Sequence, residues 1–187
     1  SNHFADFSFF TDRGKNSKNH FFYDYNKNII VENFEESEVK LQIQNASNDN
    51  YLESNKLESK IITNPNNLEN SLGFNLYSNN LSINFETKVF ENLDKNKNDR
   101  YEYVLPKIDL IKKLENKTRL NGDFSFKSQV LVRNYDTNIY ERININDVIF
   151  NSSPIISNSG LYNDYTILLK NSYSDSTKSV NHKEGEN

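Results

Sequence analysis

Apolar and polar positions alternate with a period of two along most of this chain. In "EVKLQIQN", Val39, Leu41 and Ile43 point one way while Lys40, Gln42 and Gln44 point the other, as in a strand with one wet face. "LSINFETKV" repeats the pattern, with Leu81, Ile83, Phe85 and Val89 opposed to Ser82, Asn84, Glu86 and Lys88. Just before it, "LENSLGFNLYS" carries Leu68, Leu72, Phe74 and Leu76 on even positions. A two-residue turn at Asn79-Asn80 would set Leu76 opposite Ile83, Phe74 opposite Phe85 and Leu72 opposite Thr87, so that every apolar residue shares one face. Asparagine tolerates the positive φ angles of a type I′ turn, so register and turn chemistry agree on a hairpin.

Other segments follow the same logic. "GDFSFKSQVLV" is expected to pair with "NIYERININDVIF". Phe124, Phe126, Val130 and Val132 are even and Ile139, Ile143, Ile145 and Ile149 odd, so an even-length turn within "NYDTN" would bring both sets to one face. "YNDYTILLKN" supplies a last clear strand, and "HFADFSFF" and "NHFFYDY" two aromatic ones near the start. The pattern predicts about nine strands and no helix. "NPNN" and "NLDKNKND" read as exposed loops, and the tail from Ser172 as a loop or the end of the folded part.

One strand carries an irregularity. In "NDRYEYVLPKIDL", Pro106 has no N–H for a ladder, although Tyr101, Tyr103, Val104, Leu105, Ile108 and Leu110 are strand-type residues. A proline is tolerated near a strand end or at a bulge, and there it would let the strand bend near a membrane boundary.

The alternation suits two antiparallel architectures. A soluble sandwich buries one face of each strand, whereas a transmembrane barrel turns that face to lipid and keeps the other in a wet lumen. Because a lysine at mid-bilayer costs about 2 to 4 kcal/mol, the face bearing Glu86 and Lys88 would be the lumen. That makes Lys40, Gln42, Gln44, Asn84, Glu86 and Lys88 the lumen-facing candidates. Leu41, Ile43, Leu72, Phe74, Leu76, Ile83 and Phe85 form the opposite, lipid-facing set.

Composition narrows the chemistry. The 187 residues include 13 Phe and 11 Tyr, too many for a disordered segment despite a mean hydropathy of -0.83. The net charge of -4 comes from interspersed acids and bases, with no basic face for nucleic acid. There is no Cys, hence no disulfide and no thiolate metal site within this stretch. No apolar run approaches the roughly 18 residues of a membrane helix, which leaves spanning strands open. The opening "SNHFADFSFF" has no signal-peptide pattern, so any secretion signal would lie upstream, and export is neither supported nor excluded.

Catalytic signals are missing. His3, His20 and His182 share no ligand spacing with Asp or Glu and read as surface or interface residues. The pairs Glu35-Glu36 and Asp94 with Asp99 lie in charged connections. No phosphate loop and no GxSxG elbow occurs. Neither a cofactor nor an enzymatic activity is expected.

Four segments resemble one family in order and spacing. "QIQNASNDNYLES" resembles the place in the outer-membrane LPS-assembly family LptD (organic solvent tolerance protein) where a strand ends in a "vSxxxYl" pattern, here Ser47, Asn48, Asp49, Tyr51 and Leu52. "DRYEYVLPKIDL" resembles the family's "Y-x-x-LP-x-hydrophobic" strand at Tyr101 or Tyr103, Leu105, Pro106 and Ile108. "YDTNIYERININDVIFNSSP" resembles the stretch that follows in alphaproteobacterial members. "SGLYNDYTILLKN" resembles their "G-x-x-x-x-y-x-x-lLKN" block at Gly160, Leu168, Leu169, Lys170 and Asn171.

The resemblance implies an internal piece of a large transmembrane β-barrel, residues 1–187 being an antiparallel up-and-down meander. The family's jellyroll-like N-terminal domain and the remaining strands would lie outside it. Its members insert lipopolysaccharide into the outer leaflet of the Gram-negative outer membrane. The partners implied are lipopolysaccharide, outer-membrane lipid, an LptE-like plug lipoprotein, and an LptA-like periplasmic bridge docking on a domain outside this stretch; nucleic acid is not among them. The rivals are a generic outer-membrane channel or receptor barrel, and a secreted soluble β-sandwich serving as a glycan-binding or adhesive module.

Overall fold

The computed structural model describes residues 1–10, 18–49, 52, 64, 66–95, 99–136 and 139–177. The chain is all-β. Its strands are β1 (Asn2–Phe10), β2 (Lys18–Asn28), β3 (Glu36–Ala46), β4 (Asn67–Ser78), β5 (Leu81–Asn92), β6 (Tyr101–Leu114), β7 (Gly122–Tyr135) and β8 (Ile139–Ser152), then the short β9 (Ile155–Ile156) and β10 (Tyr162–Asn163), and finally β11 (Thr166–Thr177). Nine of them form one antiparallel meander in the order β1-β2-β3-β4-β5-β6-β7-β8-β11, while β9 and β10 pair in the connection before β11. Polar residues from Ser172 onward extend β11 rather than forming a loop, because Ser172 to Thr177 pair with Ile145 to Tyr140.

The β4–β5 hairpin has the register read from its sequence, with Leu76 opposite Ile83, Phe74 opposite Phe85 and Leu72 opposite Thr87 across a turn at Asn79-Asn80. Directly paired residues share a face, so the ladder carries this assignment along the sheet. Leu41 lies opposite Leu72 and Tyr25 opposite Leu41. The apolar face thus runs from β1 through β7. Over those strands its charged residues are Lys27, Glu91 and Lys112, each within two positions of a strand end. Aromatic rings add to it: Phe21, Tyr23 and Tyr25 stack in a column that continues onto His3, and Tyr101 stacks on Tyr103.

Pro106 sits at a bulge in mid-strand, as the sixth of the 14 residues of β6. The register shifts between Glu86 and Lys88 on one side and between Val104 and Lys107 on the other, so Leu105 and Pro106 together oppose Thr87 of β5 and Val132 of β7. The Leu105–Pro106 peptide is cis. The extra residue has a consequence for facing. Tyr101 and Tyr103 are odd and Ile108 and Leu110 even, and the bulge lets both pairs stand on the apolar face.

The β7–β8 expectation is corrected. Tyr135 pairs with Ile139 across a three-residue connection that begins at Asp136, whose φ is 28°, so like parity meets like. Phe124 faces Phe150, but Val130 faces Asn144 and Val132 faces Arg142. Ile139, Ile143, Ile145 and Ile149 consequently stand on the polar face with Tyr135, Leu131, Gln129 and Ser125. An odd connection length, which the apolar pattern did not encode, sets this outcome.

At the far end of β7, a Cβ on Gly122 would overlap the Asn151 carbonyl oxygen and come within 2.8 Å of the Phe150 ring. Gly122→Ala is expected to cost about 1 to 3 kcal/mol through this overlap. The denaturant midpoint of the folded protein measures it.

The sheet is a single layer. The buried hydrophobic cluster among the described residues is small, with Phe22, Leu52, Leu68 and Leu93 joined by partly buried Ala46. Leu93 lies within "NLDKNKND" and is 5% exposed, so that connection is not wholly solvated. His20 is likewise buried rather than superficial, with Nε2 3.2 Å from Asp6 Oδ1 and its ring stacked on Phe22. His182 lies outside the described residues.

Candidate functional site

The six lumen-facing candidates share the polar face. Lys40 lies opposite Gly73, which lies opposite Glu86; Gln42, Ser71 and Lys88 form the next row; Asn75 links Glu38 to Asn84. Alternation along β3 and β5 puts these side chains on one surface, and Gly73, with no side chain at the centre, leaves a cleft of about 400 Å³ among Asp24, Lys40, Gln42, Glu86 and Lys88.

Hydrogen bonds and ion pairs hold these groups in fixed positions. Glu38 accepts from Asn26 Nδ2 at 2.6 Å and Asn75 Nδ2 at 3.0 Å, and its Oε2 lies 3.0 Å from Lys40 Nζ. Lys88 Nζ sits 3.0 Å from Glu69 and 2.9 Å from Glu86. Gln44 is buried, and its amide replaces a ladder contact: Oε1 accepts from the Glu69 N–H at 2.7 Å, while the Gln44 N–H donates to Asn70 Oδ1 at 2.9 Å. Such a surface alternates fixed donors and acceptors, which suits hydroxyl-rich ligands and water. Among the described residues no group of three His, Cys, Asp or Glu is placed to hold a metal ion.

The residues of the first resembling segment gather at the strand ends nearest Ala46. Ser47 exchanges two bonds with Asn19, its N–H donating to the Asn19 carbonyl at 2.9 Å and its Oγ accepting from the Asn19 N–H at 2.8 Å. Asp49 reaches the β5–β6 connection, where its Oδ1 accepts from Arg100 Nη2 at 2.6 Å; Arg100 Nε donates to Glu91 at 2.7 Å. These carboxylates, Asp49 first, hold the Arg100 guanidinium firmly charged. Leu52 is 1% exposed in the cluster with Phe22, and Tyr51 lies outside the described residues. Periodicity missed Arg100 and Leu93 because both lie in a connection and find their partners far along the chain.

Arg100→Ala is expected to cost about 1 to 2 kcal/mol, since it strips two carboxylates of a charge-assisted donor while Asp49 remains half in solvent. Denaturation in low and high salt checks this, with the difference from the parent protein shrinking at high salt.

The remaining motif residues are dispersed. Tyr103 stands on the apolar face, and Leu105 and Pro106 form the bulge. Gly160, with φ 83°, turns the connection between β9 and β10, its N–H donating to the Ser157 carbonyl at 2.9 Å. Leu169, Lys170 and Asn171 lie on edge strand β11, opposite Val148, Asp147 and Asn146, and Lys170 Nζ is 3.3 Å from Asp147.

No protein-family model matches the chain, and no curated protein matches it in sequence.

Proposed function

We propose that this chain is a stretch of the wall of a large outer-membrane β-barrel of the LptD kind, taking part in the insertion of lipopolysaccharide into the outer leaflet without covalent chemistry. The observation that carries the membrane part is the single-layer sheet of nine long strands, whose apolar face from β1 through β7 is uncovered. These strands run from 9 to 14 residues, where soluble proteins favour about 5 to 6 and a tilted membrane strand needs about 9 to 11.

The stagger of the sheet supports the same reading. A row of paired residues starts at His3 and passes Tyr25, Leu41, Leu72 and Thr87, then the bulge, Val132, Arg142 and Asp175. It begins seven residues short of Phe10 and ends two short of Thr177 at the same margin. Closing a sheet into a barrel requires a one-way shear of this type. A sandwich would instead cover the apolar face with a second large sheet, whereas the other sheet among the described residues is the two-stranded β9–β10 pair.

Lipopolysaccharide as the cargo rests on the four resembling segments and on the amide- and carboxylate-rich polar face, which fits a lumen passed by sugars. The partners proposed are an LptE-like plug lipoprotein, an LptA-like bridge acting through another domain, and outer-membrane lipid. Depletion of the full-length protein tests the proposal. New lipopolysaccharide should fail to reach the cell surface, and the unboiled protein should come from the outer-membrane fraction with heat-dependent gel mobility. Normal surface lipopolysaccharide together with altered uptake of small solutes would favour a channel instead.

A further inference from the structure

The apolar face changes character on its β11 side. On β5 the residue seven positions from the margin at Asn92 is Phe85, but the residues seven positions from the same margin are Ser128 on β7 and Asn146 on β8. Asn171 of β11 stands opposite Asn146, and Asn144 follows Asn146 on that side of β8. Polar groups thus occupy the depth at which β1 to β6 are apolar. The other amides on this face are placed differently. Asn19, Asn45 and Asn134 are each one residue from a strand end, and Asn70 is tied to the Gln44 backbone, its Oδ1 accepting at 2.9 Å and its Nδ2 donating at 3.2 Å.

The mid-strand amides are only partly satisfied. Ser128 Oγ donates to Asn146 Oδ1 at 2.8 Å, and Asn146 Nδ2 donates to Asn144 Oδ1 at 3.0 Å. There the chain of bonds stops: Asn144 Nδ2 and the whole Asn171 side-chain amide have no partner among the described residues. Lipid tails offer neither donors nor acceptors, so open amides at this depth are costly unless another polypeptide meets them. Toward the margin on the same face, Arg142 lies opposite Asp175 in the ladder. Its Nη2 donates to the Tyr140 hydroxyl at 3.2 Å, and no ion pair joins it to Asp175 among the described residues.

We propose that this face of β8 and β11 is a lateral interface between two copies of the full-length protein, related by a two-fold axis along the bilayer normal. The proposal goes beyond the barrel-wall reading and rests on it. Such an axis keeps each residue at its own depth and presents the same patch from both sides. Because Arg142 and Asp175 are ladder neighbours of opposite sign, Arg142 of one copy meets Asp175 of the partner subunit, and the reverse contact follows by symmetry. An amide is both donor and acceptor, so the open groups of Asn144 and Asn171 are likewise complementary to their own copies. A second copy thus supplies both charges and both hydrogen-bonding roles at the depths where they are needed, which a lipid does not.

Equilibrium sedimentation of the full-length protein in an uncharged detergent, at several protein-to-detergent ratios, tests this. A monomer–dimer equilibrium is expected. Asn144→Val, Asn146→Val and Asn171→Val together should weaken it by about tenfold or more, and Thr87→Val, mid-strand on the same face of β5, should leave it unchanged. Arg142→Asp and Asp175→Arg should each dimerise poorly alone, since like charges then meet, but an equal mixture of the two should dimerise as the parent does, because both contacts become attractive again. A monomeric parent, no response to the valines, an equal response to Thr87→Val, a mixture no better than its components, or a monomeric parent that captures a different membrane protein through this face would each overturn the proposal. Heat-dependent gel mobility of the same samples reports on the barrel separately. Its absence in the parent would overturn the barrel reading and the interface with it, whereas a parent that shows it and stays monomeric overturns the interface alone.

Discussion

Phe85→Arg is expected to lower the stability of the full-length protein in a bilayer by about 2 to 4 kcal/mol, the cost of an arginine at the membrane midplane. Phe85 is the fifth of the twelve residues of β5 and lies opposite Phe74 on the apolar face, with ring centroids 6.1 Å apart. The substitution therefore places a cation where the proposed lipid band is deepest and also removes an aromatic contact. The neighbouring Asn84 points to the other face and is exposed, so Asn84→Arg should change stability by under about 0.5 kcal/mol, as surface substitutions do. Urea titration of folding into vesicles measures both. Equal costs at the two positions would mean that neither face meets lipid, and a larger cost at Asn84 would mean that the faces are assigned the wrong way round.

Leu52→Ala is the second large effect, at about 2 to 5 kcal/mol, the usual range for removing a buried leucine side chain. A single-layer sheet has few places where apolar groups pack on one another, and Leu52 sits in one of them with Phe22, Leu68 and Leu93. The cluster draws together β2, the start of β4, and the connections that follow β3 and β5. Its loss should therefore loosen that end locally before the ladder yields. Hydrogen exchange is the suitable readout. The Leu93 N–H, bonded to the Asn66 carbonyl at 2.9 Å, should exchange faster, while amides in the middle of β7 and β8 keep their protection. Uniform acceleration along the whole sheet would mean that the cluster is not a local fastening.

The β4–β5 hairpin was legible because its turn chemistry, length and apolar parity lie within one short segment and all agree. The placement of Lys40, Gln42, Gln44, Asn84, Glu86 and Lys88 on one face was legible for the same reason, once the pairing of β3 with β4 preserved it. At Pro106 the missing N–H signalled an irregularity. The sequence holds a second signal: the apolar set passes from Tyr101 and Tyr103 to Ile108 and Leu110, a change of parity that a one-residue bulge resolves.

What the chain determines by itself is local, namely which segments are strands, how long they are, and which side chains within each stand together, since a period of two fixes facing along any one strand. Tertiary structure decided how the strands were joined into common faces. The three-residue link from Tyr135 to Ile139 sends the isoleucines of β8 to the polar face, because one residue more or less in a connection exchanges the faces of everything beyond it. It also decided that Leu52, Leu93 and Arg100 matter. Their partners lie tens of residues away, at Phe22, Leu68 and Asp49, and no local periodicity carries contacts between connections that meet only when the strands between them have paired.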